Sequence, residues 1–239
     1  MTGKVESAPY IEMTLSAMKT FGVTVEKKED TYYIVSRTYK SPGKVAVEGD
    51  WSNAAFWLCA GALGKPVTVT GLIPDSLQGD KAVCEVLARF GAKVEKTEDK
   101  VTVSPGKLTA IDIDAAEIPD LVPVLAVVAA AAGGTTRIYN AGRLRLKESD
   151  RLETVCQMLT AIGSKAEQTA DGLIITGTPL VGGTVDSSND HRIAMAAAIA
   201  SVLCPVTVTG AEAVEKSYPA FWADLARLKG ERAHEQYIR

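Results

Sequence analysis

Apolar positions along this chain switch repeatedly between helical spacing and the every-second-residue spacing of a half-buried strand. The switch recurs at a nearly fixed interval. Met18-Lys19-Thr20-Phe21-Gly22-Val23-Thr24-Val25-Glu26, Leu87-Ala88-Arg89-Phe90-Gly91-Ala92-Lys93-Val94-Glu95 and Leu159-Thr160-Ala161-Ile162-Gly163-Ser164-Lys165-Ala166-Glu167 share one pattern, and their glycines fall 69 and then 72 residues apart. Each segment predicts a helix that stops on a glycine cap and runs into a β-hairpin. The hairpins pair residues 23–26 with 32–35, 93–95 with 100–103, and 165–167 with 173–175, around the turns Glu29-Asp30, Glu98-Asp99 and Asp171-Gly172.

A second pattern alternates with the first. Apolar, small-residue helices are predicted over 52–63, 119–132 and 191–203, each followed by a short Val- and Thr-rich strand at 66–70, 135–138 and 205–209. One unit is therefore strand, helix, strand, helix, hairpin, about 70 residues long. The fold class is α/β, built from repeated β-α-β-α-β-β units. The chain opens on the second half of a unit, contains two whole units, and ends on a third without its closing hairpin. This count predicts a truncation at the N-terminal side, with natural capping half-repeats as the alternative. The turn Ser41-Pro42-Gly43 marks a boundary. Residues 1–43 are expected to be the remnant of one domain and 44–239 most of another, with a strand at 44–48. Residues 229–239 read as a solvated helix end or disorder. Unpaired sheet edges could also accept a second copy, giving a homodimer.

Composition narrows the function. The 239 residues carry 46% hydrophobic and 23% charged side chains with a net charge of −3, so no global field draws nucleic acid or an anionic membrane. Met1-Thr2-Gly3-Lys4-Val5-Glu6 leads into no apolar targeting stretch, and the longest apolar run, 121–132, is too short to span a bilayer. Cys59, Cys84, Cys156 and Cys204 are scattered among apolar neighbours on predicted helices. They read as buried reduced thiols, which places the chain in the cytoplasm.

Candidate chemistry gathers where helices start. In Arg143-Leu144-Arg145-Leu146-Lys147-Glu148-Ser149-Asp150-Arg151-Leu152, Lys147 and Arg151 are expected to share a helix face or its entry turn. There, backbone donors and the helix dipole would favour a phosphate or carboxylate. A salt-bridged helix start, with Glu148 and Asp150 neutralising their neighbours, is the competing reading. In Ser187-Ser188-Asn189-Asp190-His191-Arg192-Ile193-Ala194-Met195, Arg192 stands in a first turn, where a cation is unfavourable unless an anion lies beside it. His191 next to it is either functional or a satisfied structural group. Asp120, in Ile118-Pro119-Asp120, is either a helix cap or a general acid or base. Lys216 precedes another helix and is matched to Arg151 of the preceding unit. If the units surround a pseudo-threefold axis, Lys147, Arg151, Arg192 and Lys216 converge, and the substrate carries several negative charges. No dinucleotide fingerprint, P-loop, nucleophile elbow or metal-ligand cluster is present in the sequence.

Leu146-Lys147-Glu148-Ser149-Asp150-Arg151-Leu152 followed by Asn189-Asp190-His191-Arg192-Ile193-Ala194-Met195, together with Gly49-Asp50 and Gln78-Gly79-Asp80, resembles the 5-enolpyruvylshikimate-3-phosphate synthases. The resemblance runs from Ser7-Ala8-Pro9-Tyr10-Ile11 to Lys216-Ser217-Tyr218-Pro219. It implies two similar domains, each of three units around a pseudo-threefold axis (an inside-out α/β barrel), closing on phosphoenolpyruvate and shikimate 3-phosphate without cofactor or metal. It further implies that Asp120 and Glu148 transfer protons and that Lys147 acts near the reacting hydroxyl. Ser7, Tyr10, Asp120 and Lys147 would contact shikimate 3-phosphate. Arg151, Arg192, Lys216 and His191 would hold phosphoenolpyruvate. The position taken by Asn in some members is Arg143 here. Family motifs that belong upstream of Ser7 have no counterpart, so the missing N-terminal half is an expected partner and this chain alone is expected to be inactive. The rival readings are a UDP-N-acetylglucosamine enolpyruvyl transferase and a non-catalytic anion-binding module of the same fold.

Overall fold

The structure, a computed structural model, describes residues 8–36 and 38–230. It opens with helix α1 (Ala8–Thr20) and the antiparallel hairpin β1 (Val25–Lys28) and β2 (Thr31–Ile34). No residue of α1 is buried. The next unit, which lacks an opening strand, is α2 (Trp51–Leu63), β3 (Val67–Thr70), α3 (Val83–Phe90), β4 (Lys93–Lys96) and β5 (Lys100–Ser104). The second is β6 (Asp112–Asp114), α4 (Val122–Ala131), β7 (Thr135–Tyr139), α5 (Arg151–Ala161), β8 (Lys165–Gln168) and β9 (Leu173–Thr176). The third is β10 (Gly183–Asp186), α6 (His191–Ala200), β11 (Val206–Thr209) and α7 (Phe221–Lys229).

The repeat read from the sequence is present except for the opening strand of the first expected whole unit. In the first two units the hairpin's second strand pairs antiparallel with the strand after the first helix, giving the orders β3-β5-β4 and β6-β7-β9-β8. The third unit holds only the parallel pair β10–β11. Gly22, Gly91 and Gly163 adopt φ of 81°, 106° and 90°, the left-handed conformation a glycine takes at little steric cost.

The predicted strand at 44–48 does not form. The segment is joined to β3's end by the bond from Gly49 N to Gly71 O, and Val47 is 93% exposed. Its alternating valines find nothing to bury against, so no apolar contact offsets the cost of ordering a strand. Two of the helices are also shorter than expected. Pro119 opens a 3-10 turn, Pro119–Leu121, ahead of α4, and α6 stops at Ala200.

The first helices of the three units, α2, α4 and α6, touch one another and form the centre of the core. Their sequences are rich in Ala, which lets the backbones approach closely. Gly61 lets α2 sit equally close to the sheet, since a Cβ there would lie 2.6 Å from Val103 O of β5. Helix α7 folds back on α2 through Phe56, Trp57, Tyr218, Phe221 and Trp222, whose rings pack edge-on or stacked. With the three central helices packed together, the starts of α2, α4 and α6 and the turn before α5 lie near one another.

Candidate active site

Asp120 is the hub. Pro119 fixes the backbone as the chain turns towards α4, and the Asp120 carboxylate does not cap that helix. It faces cations instead. Lys147 Nζ lies 3.1 Å and Arg151 Nη1 2.9 Å from Oδ1, while Arg192 Nη2 lies 3.5 Å from Oδ2. Arg192 Nη1 also donates to the Asp120 carbonyl at 3.2 Å, and the Tyr10 hydroxyl donates to Oδ2 at 3.2 Å. Burial opposes ionisation of Asp120, but Arg192, Lys147 and Arg151 overcome it and hold the carboxyl at about 2. Burial, with Asp120 and Asp80 nearby, pushes the Tyr10 hydroxyl up, so it stays a proton donor.

Arg151 is buried in spite of its charge, with its side chain 1% exposed. Asp190 makes that possible. Its Oδ2 accepts from Arg151 Nε at 2.8 Å and its Oδ1 from Nη2 at 3.2 Å. The same carboxylate accepts from Arg192 N at 2.9 Å, capping α6, and from Ser149 Oγ at 3.0 Å. One side chain thus ties the first turn of α6 to the first turn of α5. Burial works against the charge of Asp190, but the two bonds from Arg151 lower its pKa. The fourth acid contact on Arg151 is Glu148 Oε2, 2.5 Å from Nη2, with Glu148's side chain 43% exposed.

His191 is buried beside this network, its Nδ1 without a hydrogen-bond partner among the described residues and 3.9 Å from Asp190 Oδ1. Burial and the adjacent Arg192 lower its pKa and favour the neutral ring. Lys216 donates to Asn189 O and Oδ1, both at 2.6 Å, across the turn that leads into α6. Ser188 and Asn189 take φ of 51° and 56° there, which turns the chain towards Lys216.

The structure therefore brings Tyr10, Asp120, Lys147, Glu148, Arg151 and Arg192 into one network, with His191 and Lys216 at its side. Ser7 lies outside the described residues. Lys147 stands in the entry turn of α5: it follows the 3-10 turn Gly142–Leu146, and α5 starts at Arg151, because Asp150 caps it through Leu152 N and Glu153 N. One placement differs from expectation: Lys216 ends the 3-10 turn Ala211–Lys216 ahead of α7, whereas Arg151 is the first residue of its helix.

Sequence reasoning passed over two buried acids. Asp190 reads only as a cap, because its second partner, Arg151, lies 39 positions away on another helix. Asp80 is 5% exposed in the 3-10 turn Gly79–Ala82. Gln78 fastens that turn to α2 by accepting from Trp51 N and donating to Gly49 O. Gly79 fits between Glu117 and Pro9, where a Cβ would lie 2.9 Å from Glu117 O. Burial pushes Asp80 up to about 6, against the pull of Ser52 and Arg192.

Comparison with known proteins agrees with the fold. The family profile for EPSP synthase (3-phosphoshikimate 1-carboxyvinyltransferase) matches residues 1–225. A 3-phosphoshikimate 1-carboxyvinyltransferase of Clostridium kluyveri is 45% identical over 236 residues, 97% of this chain and 55% of that protein. One from Methanocorpusculum labreanum is 42% identical over 238 residues, 98% of this chain and 56% of that protein. The chain spans about half the length of the curated relatives it matches. The solved EPSP synthase of Acinetobacter baumannii superposes with a TM-score of 0.76 at 25% identity, over 95% of this chain and 54% of that one. The enolpyruvyl transferase NikO of Streptomyces tendae shares the fold, with a TM-score of 0.75 at 23% identity over 94% of this chain and 53% of that one. On a profile match that leaves only the last residues uncovered, the chain belongs to the EPSP synthase family.

Proposed function

We propose that this chain supplies the cation-lined half of a 3-phosphoshikimate 1-carboxyvinyltransferase. The reaction transfers the enolpyruvyl group of phosphoenolpyruvate to the 5-hydroxyl of shikimate 3-phosphate and releases phosphate. The observation that carries this reading is the convergence of Lys147, Arg151 and Arg192 on the single carboxylate of Asp120. Residues 1–43 belong to the other domain and 44–239 to this one. Tyr10, with Ser7, reaches shikimate 3-phosphate from the far side of the junction.

The proton steps follow from the charges. Glu148, once its half-exposed carboxylate has taken a proton from solvent, gives that proton to the enolpyruvyl methylene. The 5-hydroxyl attacks the adjoining carbon and loses its proton to Asp120, next to Lys147. The resulting tetrahedral intermediate breaks its carbon–oxygen bond to phosphate as a methyl proton returns to a carboxylate. A carboxyl held at about 2 by three cations is a weak base. Each cation drawn onto a substrate anion is drawn away from Asp120 and raises its basicity. Arg151, Arg192, Lys216 and His191 form the phosphoenolpyruvate side, and the chain works in the cytoplasm.

Turnover requires the upstream half found in the longer relatives. Phosphate release from phosphoenolpyruvate and shikimate 3-phosphate is expected to be negligible with this chain alone and restored when that half is added. Efficient turnover by the isolated chain would remove the need for a partner, and turnover with UDP-N-acetylglucosamine instead of shikimate 3-phosphate would overturn the substrate assignment. A complemented protein that binds anions without turnover would make the chain a binding module.

A further inference from the structure

The network is electrically complete without any ligand. Lys147, Arg151 and Arg192 face Asp120, Glu148 and Asp190, three positive charges against three negative ones. No net positive charge is left over in this set to attract an anionic substrate. Lys216 stands aside on the neutral Asn189, and burial favours the neutral form of His191.

The three acids differ in how firmly they are held. Asp190 is wholly buried and makes four hydrogen bonds that fix two helices. Asp120 is 11% exposed and shared among three cations and a tyrosine. Glu148 is 43% exposed and, among the described residues, has one cation contact, to Arg151 Nη2 at 2.5 Å. It precedes the cap of α5, so no helical backbone bond depends on its side chain. An anion approaching Arg151 from solvent meets Glu148 first, and Glu148 alone can swing off at little structural cost.

We propose that Glu148 is a displaceable surrogate anion: its carboxylate occupies the Arg151 Nη2 position that an incoming phosphate or carboxylate takes, and so sets the anion affinity of the site. This rests on the reading that the cluster binds anionic substrate, and it gives Glu148 a role in binding separate from proton transfer. Displacing Glu148 leaves the network one positive charge in surplus and opens a guanidinium edge otherwise closed to solvent.

The test is titration of inorganic phosphate and phosphoenolpyruvate into this chain, followed at the Arg151 side-chain NMR resonance. Glu148→Gln keeps the shape and removes the competing charge, so it is expected to bind both anions about threefold to tenfold more tightly than the parent. Glu153→Gln is the charge-matched control. Glu153 is exposed in the first turn of the same helix, and its side chain accepts from Gln157, so its loss is expected to leave both affinities unchanged. Unchanged, weaker or absent binding in Glu148→Gln overturns the proposal. Equal tightening in Glu153→Gln also overturns it, because a diffuse field would then explain the gain. The complementation assay stands apart from this outcome: restored turnover with no tightening in Glu148→Gln rejects the surrogate anion and keeps the proposed function, and tightening without turnover does the reverse.

Discussion

Asp190 and Asp80 lie at nearly the same depth, 0% and 5% exposed, each beside the first turn of a buried helix. Their charges fare oppositely. Asp190 faces Arg151 in a two-bond ion pair, and its pKa falls. Asp80 forms no ion pair among the described residues, has the Ser52 hydroxyl for a neighbour, and is pushed up to about 6. Depth alone therefore does not fix the state of a buried acid. A cation with matching geometry does.

Breaking the better-paired acid should do the greater harm. Asp190→Ala leaves Arg151 buried with two donors unsatisfied and removes the cap of α6. A loss of about 3–5 kcal/mol is expected, read as a lower urea midpoint at neutral pH. Asp80→Asn should move stability the other way. A carboxyl that titrates at about 6 when folded and near 3.9 when unfolded binds more protons in the folded state between those values, so stability falls as pH rises through that window. The parent loses on the order of 3 kcal/mol across it, and the neutral amide does not. The two proteins should unfold alike below about pH 4, and the variant should be the more stable at pH 8.

The smallest effect sharpens the comparison within one position of the repeat. Asp50 starts α2 as Asp190 starts α6, and its Oδ1 accepts from Ser52 N and Asn53 N. Its Oδ2 accepts from the amide of Asn53, where Asp190 holds an arginine. Asp50→Ala should cost about 1 kcal/mol, the worth of a cap alone, by the same denaturation measurement. A loss as large as that of Asp190→Ala would mean that capping, and not the ion pair, dominates at both helices.

What the sequence made legible was local. The three glycines, the hairpins and the capping aspartates each act within a few residues, so pattern alone located them. Pairings across the chain were not legible. Arg151 meets Asp190 39 positions away and Asp120 31 away, and nothing in either segment names the other. The motif lysines and arginines could be placed at helix starts, but not the acids that neutralise them. The valines at 45 and 47 show the converse failure. Their alternation has strand form, but a strand needs a partner and a surface to bury, and Val45 and Val47 remain 49% and 93% exposed. Pattern also does not show that Lys216 ends a 3-10 turn ahead of its helix while Arg151 is the first residue of α5.

Helix α4 has a consequence for measurement. Val122 through Ala130 are all buried, and the helix contains no charged residue. Solvent deuterium can reach amides bonded within such a helix only when the whole body around it opens, whereas α1, with no buried residue, exchanges through local fraying. The slowest amides of α4 should thus report global unfolding in plain buffer, with no denaturant added. Isotope uptake along that one helix gives a gauge against which the opening of every other segment can be ranked.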